Sequence, residues 1–238
     1  MDQKAIIDFY DDNVTYHIRV GLNERVYSLY KRMIRLGLQK RSTVLELGCS
    51  TGTLTHLLCR CAKRGTVEAV DISPGSIAYA RQKIRHPNVS FATADIVHYT
   101  PRSGNIDFIT LFDVLEHIPL AQHSELLARL AALCSRRTRI LIHIPNPDHL
   151  AYHIKHNAED LQVIDQPVDL PVLITRADQA GLKLDFLETY GIWHENDYVF
   201  LVLSAKKEFE KVPLGNRRTL LQKAVKRLHR MYFRTRYR

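Results

Sequence analysis

Cysteine is scarce in this chain, tryptophan occurs once, and no apolar run approaches the roughly 18 residues that a bilayer-spanning helix needs. The four cysteines, Cys49, Cys59, Cys61 and Cys134, contain no C-x-x-C pair, which argues against a redox or metal knuckle and for reduced thiols used in packing. Glycine and proline are modest and no internal repeat is visible, so neither a fibrous nor a disordered chain is indicated. The opening "MDQKAIIDFYDD" lacks the basic-then-apolar pattern of a signal peptide, and the expectation is a soluble, cytoplasmic protein. Charge is unevenly placed along the chain. Residues 217–238 hold nine Arg or Lys and no acid, against a formal net charge of +9 for the whole chain, so the remainder is formally neutral. Any attraction to nucleic acid or to a membrane is therefore a property of this tail.

What is present is an alternation of periods. "NERVYSLYKRMIRLGL" (23–38) repeats apolar residues at helical spacing, and "STVLELG" reads as a buried strand entering a glycine turn. A helical "TLTHLLCRCAKRG", a strand "TVEAVD", a helix begun by Ser73 as cap with Pro74 in its first turn, and a strand "VSFATAD" follow. The pattern continues through "IDFITLF", "HSELLARLAALC" and "TRILIHIP", then breaks at 146–172, a histidine- and proline-bearing stretch that reads as an insertion or lid. A helix near "TRADQAG" and two closely spaced strand-like runs, "LKLDFLETYGIW" and "DYVFLVLSA", complete it. Such a chain is expected to form an α/β, Rossmann-like, doubly wound and mostly parallel sheet with a final antiparallel strand pair.

Open α/β sheets bind ligands at the carboxyl ends of their strands. There the sequence places Glu46 on the first strand, Gly48 and Gly52 in the turn after it, Asp71 at the end of the second strand and Asp95 at the end of the third. A dinucleotide fingerprint would want glycine at 50 and usually at 53, and this chain has Ser50 and Thr53. Asp71 is suited to accept both hydroxyls of a ribose. One more run stands out: "FDVLEHIP" gathers Asp113, Glu116 and His117 within one turn, either as a helix cap with two solvent-facing neighbours or as a metal or acid/base site.

The series "VLELGCSTGTLT", "VEAVDIS", "ATADI" and "IDFITLFDVLEHIP" resembles the motifs of class I S-adenosylmethionine-dependent methyltransferases over residues 42–147. The resemblance implies that Glu46, Gly48, Ser50 and Gly52 surround the methionine part of S-adenosylmethionine, that Asp71 with Ile72 holds the ribose, and that Asp95 with Ile96 frames the adenine. Asp113 also borders the cofactor. It implies a helical lid over residues 1–41, in which Arg25 or Arg19 pairs with the cofactor carboxylate, and a methyltransferase domain over 42–206; the insertion at 146–172 and a basic amphipathic helix over 207–238 are read from the sequence pattern itself. The acid-x-x-acid-His turn is similar to the metal motif of ubiquinone-pathway O-methyltransferases and of small-RNA 2′-O-methyltransferases. Carried over, it makes Glu116 and His117 the catalytic pair and Asp113, Glu116, His117 and His143 the ligands of a divalent cation (Mg, Mn or Zn), with Asn146, Asp148, His149 and His153 as further candidates. Tyr10, Tyr16 and Trp193 are candidates to wall an aromatic acceptor.

The resulting expectation is an O-methyltransferase acting on a hydroxyl of a small biosynthetic molecule such as a phenol, catechol or sugar, with metal assistance as an option. An RNA ribose 2′-O-methyltransferase and a non-catalytic binding module of the same fold are the alternatives. The body shows no interleaving of aromatic and basic residues, which disfavours nucleic acid as a partner. In residues 217–238 apolar and basic residues alternate at helical spacing, which reads either as a helix that docks its apolar stripe on the sheet or on a partner subunit, or as one that adsorbs to an anionic membrane surface, on the inner face of a membrane, with attraction to RNA as a third use.

Overall fold

A computed structural model of the chain describes residues 3–156, 164–207 and 219–236. They belong to two units, Met1–Lys206 and Lys207–Arg238. In the first unit β1 (Thr43–Leu47), β2 (Thr66–Asp71), β3 (Val89–Thr93), β4 (Phe108–Phe112), β5 (Arg139–Pro145), β6 (Leu182–Tyr190) and β7 (Tyr198–Ala205) form one sheet. Its order is β3-β2-β1-β4-β5-β7-β6. The first five strands are parallel, and β7 runs antiparallel to both β5 and β6. The expected doubly wound sheet with its final antiparallel pair is what forms.

The central strands are almost continuously apolar because both of their faces are covered. On one face Leu29 and Met33 of α3 (Glu24–Arg35) and Leu58 and Cys59 of α4 (Thr53–Cys61) pack on Val44, Val67 and Phe108. On the other, Leu126, Leu127 and Leu130 of α6 (His123–Leu133) and Leu173 of α8 (Leu170–Gln179) pack on Leu45, Ile109 and Ile140. Each fully buried side chain of this kind contributes about 1.5–3 kcal/mol. All four cysteines are free thiols.

Local signals explain most element ends. Ser73 caps α5 (Pro74–Lys83) by accepting from the Ser76 N–H at 2.9 Å. The run 23–38 stops as a helix at Arg35, since Gly37 turns left-handed at φ +99°. Two further helices, α1 (Gln3–Asp12) and α2 (Val14–Val20), precede it. The segment 146–172 contains α7 (Pro147–His156) and the first turn of α8; residues 157–163 of this expected insertion lie outside the described residues. Helix α8 starts earlier than "TRADQAG" because Asp169 caps it, accepting from the Val172 N–H at 2.9 Å, and Pro171 sits in its first turn, where a missing N–H costs nothing.

The turn after β4 anchors helix α3. Asp113 leaves the strand with φ +55°, a left-handed conformation that Asp tolerates better than most residues. This turns its carboxylate back toward the sheet. Oδ1 accepts from His143 Nδ1 of β5 at 2.7 Å, and Oδ2 lies 3.1 Å from Arg25 Nε of α3. The Arg25 guanidinium also donates to the Tyr198 hydroxyl at 3.1 Å, and the His143 ring stacks on Tyr198 with centroids 4.6 Å apart. Burial would raise the Asp113 pKa, but Arg25 above all, and then His143, hold it down at about 2. An acid with a depressed folded pKa stabilises the fold above its unfolded value and loses that contribution as pH falls through the folded value. We expect Asp113→Asn to lower unfolding stability by about 2 to 4 kcal/mol near neutral pH, since it strands the partly buried Arg25. In urea titrations the gap to wild type should narrow as pH falls from roughly 4 toward 2, and a pH-independent gap would rule out the ion pair as its source.

Candidate active site

At the carboxyl end of β1 the chain makes three left-handed steps, Gly48 at φ +79°, Ser50 at +47° and Gly52 at +83°. Gly48 is required by more than its angle, because a Cβ there would stand 2.2 Å from Val114 Cγ2. Ser50 follows the backbone path that glycine would take. It is held there by its own N–H, which donates to Asp71 Oδ2 at 2.7 Å. Asp71 Oδ1 accepts from the Ser73 N–H at 3.0 Å, so each carboxylate oxygen retains a lone pair for a further donor. Burial pushes the Asp71 pKa up, against the pull of these N–H groups. Glu46, buried on β1, accepts from the Thr55 hydroxyl at 2.6 Å, and burial pushes its pKa up to about 8. Asp95 accepts from the Val97 N–H at 2.9 Å. Glu46, Gly48, Ser50, Asp71, Ile72, Asp95 and Ile96 all line one cavity of about 680 Å³.

The opposite wall of the same cavity carries Tyr10, Glu116, His117 and Asp165. Glu116 and His117 sit on a single 3-10 turn, Leu115–His117, where the sequence suggested a helical turn. His117 Nδ1 lies 2.6 Å from the Ile164 carbonyl and 3.2 Å from Asp165 Oδ1, and Nε2 lies 3.8 Å from Glu116 Oε1. Burial alone would lower the His117 pKa. Glu116, with the bonds to Asp165 and Ile164, overrides it and brings the value up to about 9. Glu116 is pushed up to about 7, first by burial and then by Asp113 and Asp165, against His117. The pair is thus a charged imidazole facing a carboxyl whose ionisation is resisted. Among the described residues, Glu116 Oε2 and the Tyr10 hydroxyl are buried with no hydrogen-bond partner. Both belong to residues of the cavity wall, and such orphaned groups cost about 1–3 kcal/mol each unless a ligand meets them.

This geometry does not bring the expected cation ligands into one group. Asp113 and His143 are turned to each other and to Arg25, whereas Glu116 and His117 are turned to Asp165. The left-handed step at Asp113 separates the two pairs. Among the described residues no three His, Cys, Asp or Glu side chains are grouped as metal ligands, and Asn146, Asp148, His149 and His153 do not complete a set. Arg25 lines the cavity, but its guanidinium is engaged with Asp113 and Tyr198. Arg19 is exposed and outside the lining. Of the three aromatic candidates only Tyr10 lines the cavity; Tyr16 and Trp193 are 60% and 55% exposed, and the Trp193 ring lies beside Arg25 instead. Gly52 caps α4 behind the cavity and is not in its lining.

Several contributors carried no sequence signal. Asp165 lies in an aperiodic stretch, and only its contact with His117 reveals it. Asp11 of α1 accepts from the Ser73 hydroxyl and from the Gly75 N–H at 2.9 Å, tying α1 to α5. His149 and His153 line the cavity, and with His194 their ring centroids are between 4.5 and 6.4 Å apart.

Residues 44–136 match the family profile described as a methyltransferase domain. The chain is 32% identical over 97 residues to a malonyl-[acyl-carrier protein] O-methyltransferase of Acetivibrio thermocellus, covering 40% of this chain and 34% of the relative. It is 30% identical over 145 residues to a trans-aconitate 2-methyltransferase of Delftia acidovorans, covering 60% and 52%. The chain thus spans between a third and about half of the length of these curated relatives. Among solved structures, the magnesium protoporphyrin IX methyltransferase of Synechocystis PCC 6803 with bound SAH superposes with a TM-score of 0.67 at 18% identity, covering 87% of this chain and 100% of that one. The N-methyltransferase NodS of Bradyrhizobium japonicum WM9 in complex with S-adenosyl-L-homocysteine gives 0.63 at 17% identity, covering 84% and 100%. Sheet order, strand-end chemistry and these matches converge: residues 44–136 are similar to a methyltransferase domain, and the chain has the fold of the class I S-adenosylmethionine-dependent methyltransferases.

Proposed function

We propose that the chain transfers the methyl group of S-adenosylmethionine to an oxygen of a small organic acceptor, and that this oxygen is a carboxylate. The observation that carries the reading is Asp71, fixed under the left-handed turn by two N–H bonds and opening to the same cavity as Tyr10, Glu116 and His117. The cradle fits the cofactor. Asp71 has the spare lone pairs to take two ribose hydroxyls, Asp95 and Ile96 flank the adenine position, and the side-chain-free Gly48 brings backbone close to the methionine part. When bound, S-adenosylmethionine supplies an electrophilic methyl group on a sulfonium. What remains for the chain is to align an acceptor oxygen with it and to exclude water.

The choice of a carboxylate follows from the proton inventory. A phenol or alcohol needs a base, and His117, raised to about 9 between Glu116 and Asp165, already carries its proton at neutral pH. A carboxylate needs no base. His117 then serves as a fixed positive charge near the acceptor, and the imidazoles of His149 and His153 supply further donors at the cavity rim. The acceptors in the names of the two curated relatives are carboxylic acids, which supports the same class.

In titration calorimetry, S-adenosylmethionine and S-adenosylhomocysteine should both bind, and Asp71→Ala should weaken either by about 1.5 to 3 kcal/mol, the range for hydrogen bonds to a charged group. Absence of heat and of thermal stabilisation with both compounds would sink the assignment. On a panel of carboxylic acids assayed for methyl ester formation, His117→Gln should raise KM while kcat changes by less than about tenfold. A fall in kcat of about a hundredfold or more, with phenols as the better acceptors, would instead make His117 a general base.

A further inference from the structure

Helix α9 (Leu220–Arg236) is a 17-residue helix with six Lys or Arg and no acid. Its apolar side chains are exposed: Leu221 by 75%, Val225 by 59%, Leu228 by 66%, Met231 by 56% and Tyr232 by 51%. At about 100° per residue, Met231, Ala224, Leu228, Leu221, Tyr232 and Val225 fall in one arc of about 120°. Lys226, Arg230, Lys223 and Arg227 fall in a second arc of about 100° on the other side. Arg217 and Arg218, which extend the basic count in sequence, lie outside the described residues. We propose that α9 adsorbs in the plane of an anionic lipid bilayer, with its apolar arc in the acyl-headgroup boundary and its basic arc against the headgroups.

Three physical points select this occupant. Among the described residues no helix is long and apolar enough to cross a membrane, so α9 lies on a surface and does not span it. A second copy of the helix would cover the apolar arc, but it brings another set of cations and no carboxylate to pair with them. An RNA backbone would satisfy the cations and leave the apolar arc in water. Only an anionic interface takes up both faces at once. The inference is independent of the reaction proposed above and gives that reaction a location, the aqueous side of a charged bilayer.

The test uses the full chain, with vesicles of phosphatidylglycerol mixed into phosphatidylcholine and vesicles of phosphatidylcholine alone. Wild type should co-sediment with the anionic vesicles at low salt and much less with the zwitterionic ones, and high salt should weaken the binding. The triple variant Leu221→Ser, Val225→Ser, Leu228→Ser and the quadruple variant Lys223→Gln, Lys226→Gln, Arg227→Gln, Arg230→Gln should each lose at least about tenfold in partitioning. Their thermal unfolding should be unchanged. Wild type that stays in the supernatant at low salt overturns the proposal. So does an apolar variant that binds as well as wild type, or that binds single-stranded RNA and vesicles alike, because the tail would then be an electrostatic one only. A dimer in solution that the apolar variant converts to a monomer, without vesicle binding, assigns the arc to a second copy and also overturns it.

Discussion

The ion pair between Asp113 and Arg25, backed by His143, holds together parts of the chain that are far apart in sequence. It joins helix α3, the end of β4 and the middle of β5, and through Tyr198 it reaches β7. The left-handed step at Asp113 is the condition for it. That step costs backbone energy, and the partly buried pairing offsets the cost. It also sets the direction in which the chain continues along the cavity wall, where Glu116 and His117 lie with Asp165 while Asp113 meets Arg25 and His143.

The cavity divides its acids by environment. Asp113 is kept ionised by cations, Glu46 is kept protonated by burial, and Glu116 stands between, raised by burial and by neighbouring carboxylates but opposed by His117. Three carboxyl groups crowded into one space would repel if all were charged. The arrangement lowers that cost by neutralising one and pairing two. It also leaves Glu116 Oε2 and the Tyr10 hydroxyl without partners, the usual mark of groups reserved for something that binds.

Charge is handled differently in the second unit. The body is formally neutral, and its ion pairs join elements within the fold, as between Arg32 and Glu188. Helix α9 has no acid with which to pair its cations, and its apolar side chains are solvent-facing. A surface that is both apolar and strongly cationic is costly in water and favourable at an anionic interface, which is why the composition of so short a segment carries information.

The fold was legible in the sequence because it follows from local rules that act in order along the chain. The alternation of periods, the Ser73 cap with Pro74, the glycine turn at 48–52 and the carboxylates Asp71 and Asp95 at strand ends each speak through residues a few positions apart. The metal reading of Asp113, Glu116, His117 and His143 was carried over from a resemblance in local spacing, and the described residues do not bring the four side chains together. Spacing gives proximity along the chain, whereas ligation requires convergence in space, and one left-handed residue turned Asp113 away. The partners that decide the chemistry, Asp165 at His117, Arg25 at Asp113 and Thr55 at Glu46, come from separate elements. The sequence by itself determined the sheet, its cofactor-type strand ends and the basic amphipathic tail, since periodicity and turn chemistry are local. Only the tertiary structure decided which carboxyls are charged and which way they face, because pKa and direction depend on burial and on neighbours that the fold alone brings together.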